Sequence, residues 1–155
     1  MALPPMSAFL KLLREHPVET FQPGDILLEQ RHDTGRILVL LEGEVEVLRD
    51  GVRVGKASEA GACFGEMSAL LNRPHTATVR ALRLCRVAVI EEPRAFLVNS
   101  SAASLHIAEL LARRLDALNK YLIDVKRQYE GHDHIGMVDE VIETLLNRQP
   151  RAAAR

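Results

Sequence analysis

The sequence predicts an α+β fold, in which a β sandwich or barrel is preceded by a short helix and followed by a long one. Three observations carry this prediction. Short apolar runs bounded by turn residues fill residues 21–90, which favours six or more strands. Within that region an Asp50–Gly51 pair separates two alternating apolar segments, as in a β-hairpin. Residues 95–130 contain neither glycine nor proline and follow a helical period.

The composition is that of a soluble protein with one core. Of 155 residues, 47% are hydrophobic and 26% charged, which excludes a disordered chain and provides for one domain. Twenty basic residues against 21 acidic ones give a formal charge of −1, so the overall balance does not favour nucleic acid or an anionic membrane. No apolar run approaches the roughly 18 residues of a membrane span, and the N-terminus lacks the basic region of a signal peptide. We therefore expect a cytoplasmic protein.

The N-terminal segment from Ser7 to His16 is predicted to be a short helix. Pro4 and Pro5 interrupt the chain before it, Ser7 is suited to cap its first turn, and Pro17 ends it.

The strands are predicted from apolar runs and turn signals. The Pro23–Gly24–Asp25 turn precedes the first run, and the Asp50–Gly51 turn lies between Val45/Val47 and Val52/Val54. The predicted strands besides this hairpin are Ile26–Leu28, Ile37–Leu41, Thr76–Leu82 and Leu84–Ile90.

The long helix carries an apolar seam with heptad spacing. The seam consists of Ala108, Leu111, Leu115, Leu118, Leu122, Val125 and Tyr129, which are 3, 4, 3, 4, 3 and 4 residues apart. This spacing is typical of helices that pair along one face, and we expect a homodimer through Leu111, Leu115, Leu118, Leu122, Val125 and Tyr129. The N-terminal half of the seam has an alternative role, packing on the protein's own barrel. A terminal helix is predicted at Met137–Arg148, so the expected domains are residues 7–130 and a short segment, 131–155.

The stretch from Gly61 to Val79 is the candidate functional segment. It reads as a glycine turn, a very short helix after Gly65, a second turn and a strand. The start of a helix offers free N–H groups and a positive dipole end to an anion such as a phosphate. Glu66 is placed to accept hydrogen bonds from sugar hydroxyls, and His75 and Thr76 add donors at the start of the next strand.

The residues FGEMSALLNRPHTATV resemble the phosphate-binding cassette of cyclic nucleotide-binding domains, without a gap. The similarity extends upstream through FQPGDILLEQ and LVLLEGEVEVLRDG, and downstream to LARRL, which resembles the dimer helix of the catabolite activator protein and its relatives. It covers roughly residues 9–130. The resemblance implies a β jelly-roll with a cassette helix, a long C-terminal dimerisation helix and one terminal helix.

The resemblance also implies roles for individual residues. Gly65 and Glu66 match positions that hold the ribose 2′-hydroxyl, and the amides of Met67 and Ser68 match the phosphate site. Thr76 matches a hydroxyl beside the phosphate, and Asn119 aligns with a base-contacting position. The implied ligand site thus comprises Phe64, Gly65, Glu66, Met67, Ser68, Arg73, His75, Thr76, Ala77 and Asn119. The implied ligand is cAMP or cGMP, with no other cofactor; the threonine at Thr76 favours cGMP, whereas Asn119 can read either purine, so the base stays open.

His75 departs from the family pattern, which has an arginine there to clamp the phosphate. An arginine provides a permanent charge and a two-pronged donor. A histidine provides at most one donor, and with an ordinary pKa near 6.5 it is only about a quarter charged at pH 7. The loss of a charge-assisted bond weakens binding by very roughly ten- to a hundred-fold. Arg73 is a possible substitute, although Pro74 constrains its turn.

Three readings of the site follow. In the first, a cyclic nucleotide still binds, and it binds more tightly at acid pH. In the second, the module is degenerate and either takes another ligand or serves as a dimeric scaffold for a partner protein. In the third, His75 ligates a haem. A cyclic dinucleotide also remains open. Catalysis is not expected, because no motif places a second carboxylate or a nucleophile beside Glu66.

Other candidate residues are given structural roles. Cys63 and Cys85 are too few for a disulfide framework or a four-thiolate metal site and are expected to pack as small apolar groups. His132 and His134 flank Asp133 with a spacing that is weak for a metal, so no metal is expected. A winged helix-turn-helix takes on the order of 60 residues, and 25 follow Glu130, so direct DNA binding is not expected.

Overall fold

The computed structural model describes residues 4–129, together with Glu140, Glu143 and Thr144. The chain divides into two compact units, Met1–Ala108 and Glu109–Arg155. The strands and the candidate cassette belong to the first unit. The division falls within the long C-terminal helix.

The N-terminal helix α1 spans Pro4–Leu12 and continues as a single 3₁₀ turn, Leu13–Glu15. The prediction that Pro4 and Pro5 precede the helix and that Ser7 caps it is therefore wrong. Proline is tolerated in the first turn of a helix, where its missing N–H has no intrahelical partner anyway, so the helix starts at Pro4. The 3₁₀ turn closes with the His16 N–H donating to the Leu13 carbonyl at 3.0 Å, directly before Pro17.

Eight antiparallel strands form two four-stranded sheets. In spatial order the first sheet is β1-β8-β3-β6 and the second is β2-β7-β4-β5. The strands are β1 Val18–Phe21, β2 Ile26–Leu28, β3 Ile37–Glu42, β4 Val45–Arg49, β5 Val52–Ala57, β6 Cys63–Phe64, β7 Thr78–Ala81 and β8 Cys85–Ile90. This arrangement, with flanking helices, confirms the predicted α+β jelly-roll.

Residues from both sheets pack into one core. The buried cluster takes Leu38 and Leu40 from β3, Val87 and Val89 from β8, and Val79 from β7. Within each strand these residues alternate with residues on the other face of the sheet, as the pleat requires, and in β3 and β8 the alternating Val39 and Ala88 are buried as well. Cys63 and Cys85 are also buried, and neither forms a disulfide.

The Asp50–Gly51 turn joins β4 to β5 as predicted. Both turn residues have positive φ, 51° and 78°, which is the type I′ conformation that matches the twist of a hairpin. The register shifts between Val47 and Leu48. Beyond this irregularity Val52 and Val54, on the edge strand, are 65% and 62% exposed rather than packed with Val45.

A buried carboxylate holds three strands of the second sheet together. Glu46 alternates with the core residues Val45 and Val47 and is nevertheless only 2% exposed, because two arginines cover it. Arg53 Nε on β5 donates to Glu46 Oε2 at 2.7 Å, and Arg80 Nε on β7 donates to Oε1 at 2.8 Å. The hydrogen bond from Arg80 outweighs the cost of burial and lowers the pKa of Glu46 from its ordinary value of 4.5.

Between Pro93 and Gln128 the chain forms two helices, α3 Pro93–Asn99 and α4 Ser101–Gln128. The prediction of one uninterrupted helical stretch after Pro93 is wrong at Ser100, where the backbone is extended and the two helices meet at 111°. No described helix is by itself long and apolar enough to cross a membrane, and α3 and α4 meet that test only when they are counted together across their bend. Most of the predicted helix at Met137–Arg148 and the His132–His134 segment lie outside the described residues. Glu140, Glu143 and Thr144, which are described, are helical.

Candidate functional site

The cassette segment forms the predicted short helix, turn and following strand, and it adds a two-residue strand before the helix that was not predicted. Strand β6 leads into Gly65, which has φ of 88° and caps the helix α2, Glu66–Leu71. The first backbone bond of the helix runs from the Ala69 N–H to the Gly65 carbonyl at 3.0 Å, so the amides of Met67 and Ser68 precede it. Asn72 ends the helix in the left-handed conformation, with φ of 52°.

Gly65 is required by both conformation and space. Its φ lies in the left-handed region, which side chains disfavour. A Cβ at this position would stand 2.5 Å from the Arg36 carbonyl oxygen and 3.5 Å from Cε1 of His75. The start of the cassette helix therefore packs directly against the segment between β2 and β3, and next to the His75 ring.

Two polar side chains of the cassette helix are buried. Glu66 is 3% exposed and Ser68 is 5% exposed. The Ser68 hydroxyl donates to the Arg73 carbonyl, and the Arg73 N–H donates to the Ser68 carbonyl at 3.2 Å. These two bonds tie the turn after the helix back to its first residues, so that the backbone at Arg73 is anchored while its side chain is exposed.

His75 is 4% exposed and is held on three sides by the segment Glu29–Arg36, which we call the β2–β3 loop. Its N–H donates to the His32 carbonyl at 2.9 Å, and its carbonyl accepts from the Arg31 N–H at 2.8 Å. Its ring Nε2 lies 2.8 Å from the hydroxyl oxygen of Thr34. Burial lowers the pKa of His75 below its ordinary 6.5, although Asp33 opposes that shift.

These contacts correct the predicted start of the following strand. Strand β7 begins at Thr78 rather than at Thr76. The backbone of His75 is bonded to the β2–β3 loop, and the sheet ladder starts only where β7 pairs with β2 and β4. His75 and Thr76 therefore lie in a connection between the cassette helix and the sheet.

The predicted site residues from Phe64 to Ala77 belong to one continuous part of the first unit. Phe64 is in the core, Met67 is 42% exposed, and Thr76 and Ala77 are half-buried. Asn119 lies on α4 in the second unit and is half-buried there. Its role in reading a base stays a prediction.

Sequence reasoning missed Thr34 and Arg36. Both lie in the β2–β3 loop, about thirty residues before the cassette begins, and their side chains follow no periodicity or motif. The contacts that make them part of the site are a hydroxyl on the His75 ring and a carbonyl against Gly65. Nothing in a single sequence links such distant positions.

An open cleft of about 450 Å³ lies elsewhere in the first unit. It is lined by His16, Pro17, Glu91, Glu92, Ala95, Phe96, Asn99 and Ser100. None of these is a predicted ligand-binding residue, so the cleft does not bear on the cassette.

Comparisons with known proteins agree with this geometry. A cGMP-dependent protein kinase of Caenorhabditis briggsae is 37% identical over 59 residues, which are 38% of this chain but 8% of the kinase. The catabolite activator protein of Thermus thermophilus superposes with a TM-score of 0.63 at 18% identity, over 97% of this chain and 88% of that one. A cAMP-bound PfPKA-R structure superposes with a TM-score of 0.55 at 19% identity, over 70% of this chain and 36% of that one.

The family model for the cyclic nucleotide-binding domain matches residues 18–96, which contain all eight strands and the whole cassette. This match includes Gly65, whose backbone is in the left-handed conformation, and the helix α2, which begins at the buried Glu66 and ends before Asn72. This chain belongs to the cyclic nucleotide-binding domain family.

Proposed function

We propose that this chain is a regulatory module that binds cAMP or cGMP at the cassette and carries no catalytic site. The observation that supports this best is the buried carboxylate of Glu66 in the first turn of a helix whose cap is a left-handed glycine. A carboxylate in that place accepts hydrogen bonds from ribose hydroxyls, while the amides of Met67 and Ser68 meet a phosphate. The kinase that the chain resembles is named for cGMP, and the PfPKA-R structure is described as bound to cAMP.

The remaining contacts are assigned by position. Thr76 supplies a hydroxyl near the phosphate, His75 supplies one ring donor, and Arg73 has an exposed side chain that can add charge. Phe64 and Ala77 line the segment, and Asn119 is proposed to contact the base. These contacts determine whether the chain prefers cAMP or cGMP, and that preference is to be measured by comparing the two affinities.

The proposed output of ligand binding is a change in the C-terminal helices. A ligand that binds one arrangement of a helix better than another shifts the population toward it. The α4 helix carries the exposed apolar residues Leu115, Leu118 and Tyr129, with Leu111, Leu122 and Val125 half-buried beside them. We propose that this seam joins two copies of the chain and that the ligand alters the surface presented to a partner protein, in the cytoplasm and without direct contact with DNA.

One observation favours a second candidate, a degenerate pocket on a scaffold that binds a partner constitutively. His75 replaces the arginine of the family pattern, is almost fully buried, and is already bonded to Thr34. A ring enclosed in this way offers an anion less charge and fewer hydrogen-bond donors than an arginine does. In this candidate the jelly-roll supports the helices and nucleotides have no effect.

Isothermal titration calorimetry with cAMP and with cGMP separates the two candidates. We expect heat and saturable binding in the wild type, and loss of binding in Glu66→Gln, which keeps the size of the side chain but removes the charge that accepts ribose hydroxyls. Glu59→Gln, an exposed carboxylate outside the cassette, is the matched control and retains binding. Absence of binding by the wild type at millimolar nucleotide overturns the sensor proposal and supports the scaffold.

A further inference from the structure

The main chain of the β2–β3 loop is bonded to the main chain of the cassette at His75, and the Gln30 N–H also donates to the Thr78 hydroxyl at 3.0 Å. Two backbone hydrogen bonds, from the Arg31 N–H to the His75 carbonyl (2.8 Å) and from the His75 N–H to the His32 carbonyl (2.9 Å), fix the main chain on both sides of its Cα. With the backbone held, the orientation of the imidazole depends on what its own nitrogens meet.

One ring nitrogen is occupied by Thr34. The hydroxyl oxygen lies 2.8 Å from Nε2, and among the described residues this is the hydrogen-bond partner of the ring. The ring lies at the start of the cassette helix, because its Cε1 is 3.5 Å from where a Cβ of Gly65 would stand. Cε1 lies between the two ring nitrogens. Because Thr34 occupies Nε2, the other nitrogen, Nδ1, is the one that we assign to a ligand at the cassette.

The other contact of the Thr34 hydroxyl favours one direction for this bond. The Arg36 N–H donates to the Thr34 oxygen, at 3.5 Å. A hydroxyl can accept two bonds, but of the two described contacts of Thr34 only Nε2 can take the hydroxyl hydrogen, so donation to Nε2 uses the full capacity of the group. A neutral imidazole carries one N–H and one bare nitrogen, so a ring that accepts at Nε2 carries its proton at Nδ1. The neutral form is the relevant one, since burial lowers the pKa of His75 and the charges of Asp33 and His32 act on it in opposite directions.

We infer that Thr34 is a positioning residue, which holds neutral His75 in the Nδ1–H tautomer and so keeps one N–H donor ready for the anion of a cassette ligand. The part of this inference that concerns the ligand rests on the proposed function, whereas the tautomer of His75 does not. It means that His75 contributes to anion binding without being protonated, through one donor where the family pattern has the fork of an arginine. It also means that the β2–β3 loop is part of the binding site, although none of its side chains was predicted to be.

The tautomer is measured on the ligand-free protein. Two-bond proton–nitrogen correlation spectra of the imidazole at pH 8 distinguish a protonated Nδ1 from a protonated Nε2. We expect Nδ1–H for His75 in the wild type and in Thr34→Ser, which keeps the hydroxyl. In Thr34→Val, which has the same shape without the hydroxyl, we expect the preference for Nδ1–H to be lost. Thr20→Val, the same change on the exposed face of β1, is the control and leaves the His75 spectrum unchanged.

Nucleotide titrations of the same proteins at pH 8 test the consequence. We expect affinity in Thr34→Val to fall about tenfold, the effect of losing one well-placed hydrogen bond, and to stay at the wild-type level in Thr34→Ser and Thr20→Val. A wild-type His75 protonated at Nε2, or a Thr34→Val protein that binds as the wild type does, overturns the inference. Failure of the wild type to bind either nucleotide overturns the proposed function instead, while the spectra still decide whether Thr34 sets the tautomer.

Discussion

The rings of Phe9 and His106 stack face to face, with their centroids 3.8 Å apart and their planes within 11° of parallel. Phe9 comes from α1 and is fully buried, whereas His106 comes from the second turn of α4 and is 7% exposed. On its far side, His106 Nε2 lies 3.4 Å from the Gly61 carbonyl, two residues before β6. The stack therefore connects the N-terminal helix, the beginning of α4 and the glycine turn ahead of the cassette.

Phe9→Ala tests how much this stack stabilises the first unit. Truncating a fully buried phenylalanine removes its apolar contacts and leaves a cavity, which lowers the free energy of unfolding by about 3–5 kcal/mol. Chemical denaturation measures the change. Val98→Ala, at a position that is 82% exposed, is the control and changes that free energy by no more than about 0.5 kcal/mol. Equal losses in the two variants would show that the stack does not anchor α1.

Gly65→Ala is expected to damage the cassette itself. The new Cβ would meet the Arg36 carbonyl at 2.5 Å, in a backbone conformation that alanine disfavours, so the helix start must move away from the β2–β3 loop. We expect a lower thermal midpoint and loss of nucleotide binding. Gly24→Ala separates the two causes, because Gly24 has a similar φ of +92° with nothing within 4 Å of its Cβ position. If the two variants lose equal stability, the close approach at Gly65 does not matter.

His75→Arg restores the residue that the family pattern places beside the phosphate. An arginine adds a permanent charge and a second donor, so we expect the nucleotide affinity measured by calorimetry to rise by roughly ten-fold or more. Thr20→Arg places the same side chain on an exposed position of β1, outside the candidate site, and serves as the control. An unchanged affinity in His75→Arg contradicts a working anion site and favours the scaffold.

The pH dependence of the free energy of unfolding tests the burial of His75 independently of ligand binding. Because burial lowers the pKa of His75 in the folded protein, the unfolded chain takes up its proton first as the pH falls through about 6.5. We therefore expect the free energy of unfolding to decrease from pH 7.5 to pH 5.5. His75→Gln removes this group and flattens the dependence.

The lower limit of pH 5.5 separates His75 from the buried Glu46. The pKa of Glu46 lies below its ordinary 4.5, so the stabilisation from its ion pairs with Arg53 and Arg80 persists above that value and is lost only at lower pH. A stability curve that is equally steep in His75→Gln and in the wild type would contradict the assignment to His75.

The fold was largely predictable from local signals. Alternating apolar residues, the Asp50–Gly51 turn and the run from Gly61 to Val79 each depend on neighbours in the chain. The hairpin, the cassette helix and strands β2, β3 and β8 therefore appear where they were expected, whereas β1 and β6 were not predicted. The start of α1 was mispredicted because a proline in the first turn looks the same in sequence as one that breaks a helix. The break at Ser100 was missed although a local signal was present: the Ser100 hydroxyl accepts from the Ala103 N–H at 3.2 Å and so caps the start of α4.

The candidate site was predictable only in part. Gly65, Glu66 and His75 belong to one contiguous motif, and its pattern places them together. Thr34 and Arg36 reach the same place through the sheet topology, which brings the β2–β3 loop against residues about forty positions away. The burial of Glu46 under two arginines depends in the same way on cross-strand neighbours that the order of residues does not show.

Leu118→Glu tests the proposed association of two chains along α4. Leu118 is 47% exposed in the single chain, at the middle of the apolar seam, and a symmetric pair would bury it against its counterpart. An unpaired charge is costly in a desolvated interface, so we expect dimerisation to weaken by at least about tenfold. Sedimentation equilibrium measures the association constant. Ala117→Glu introduces the same charge one residue away, off the seam, and is expected to leave that constant unchanged. Equal weakening in both variants would place the interface elsewhere, and a wild type that sediments with the mass of one chain would contradict the dimer itself.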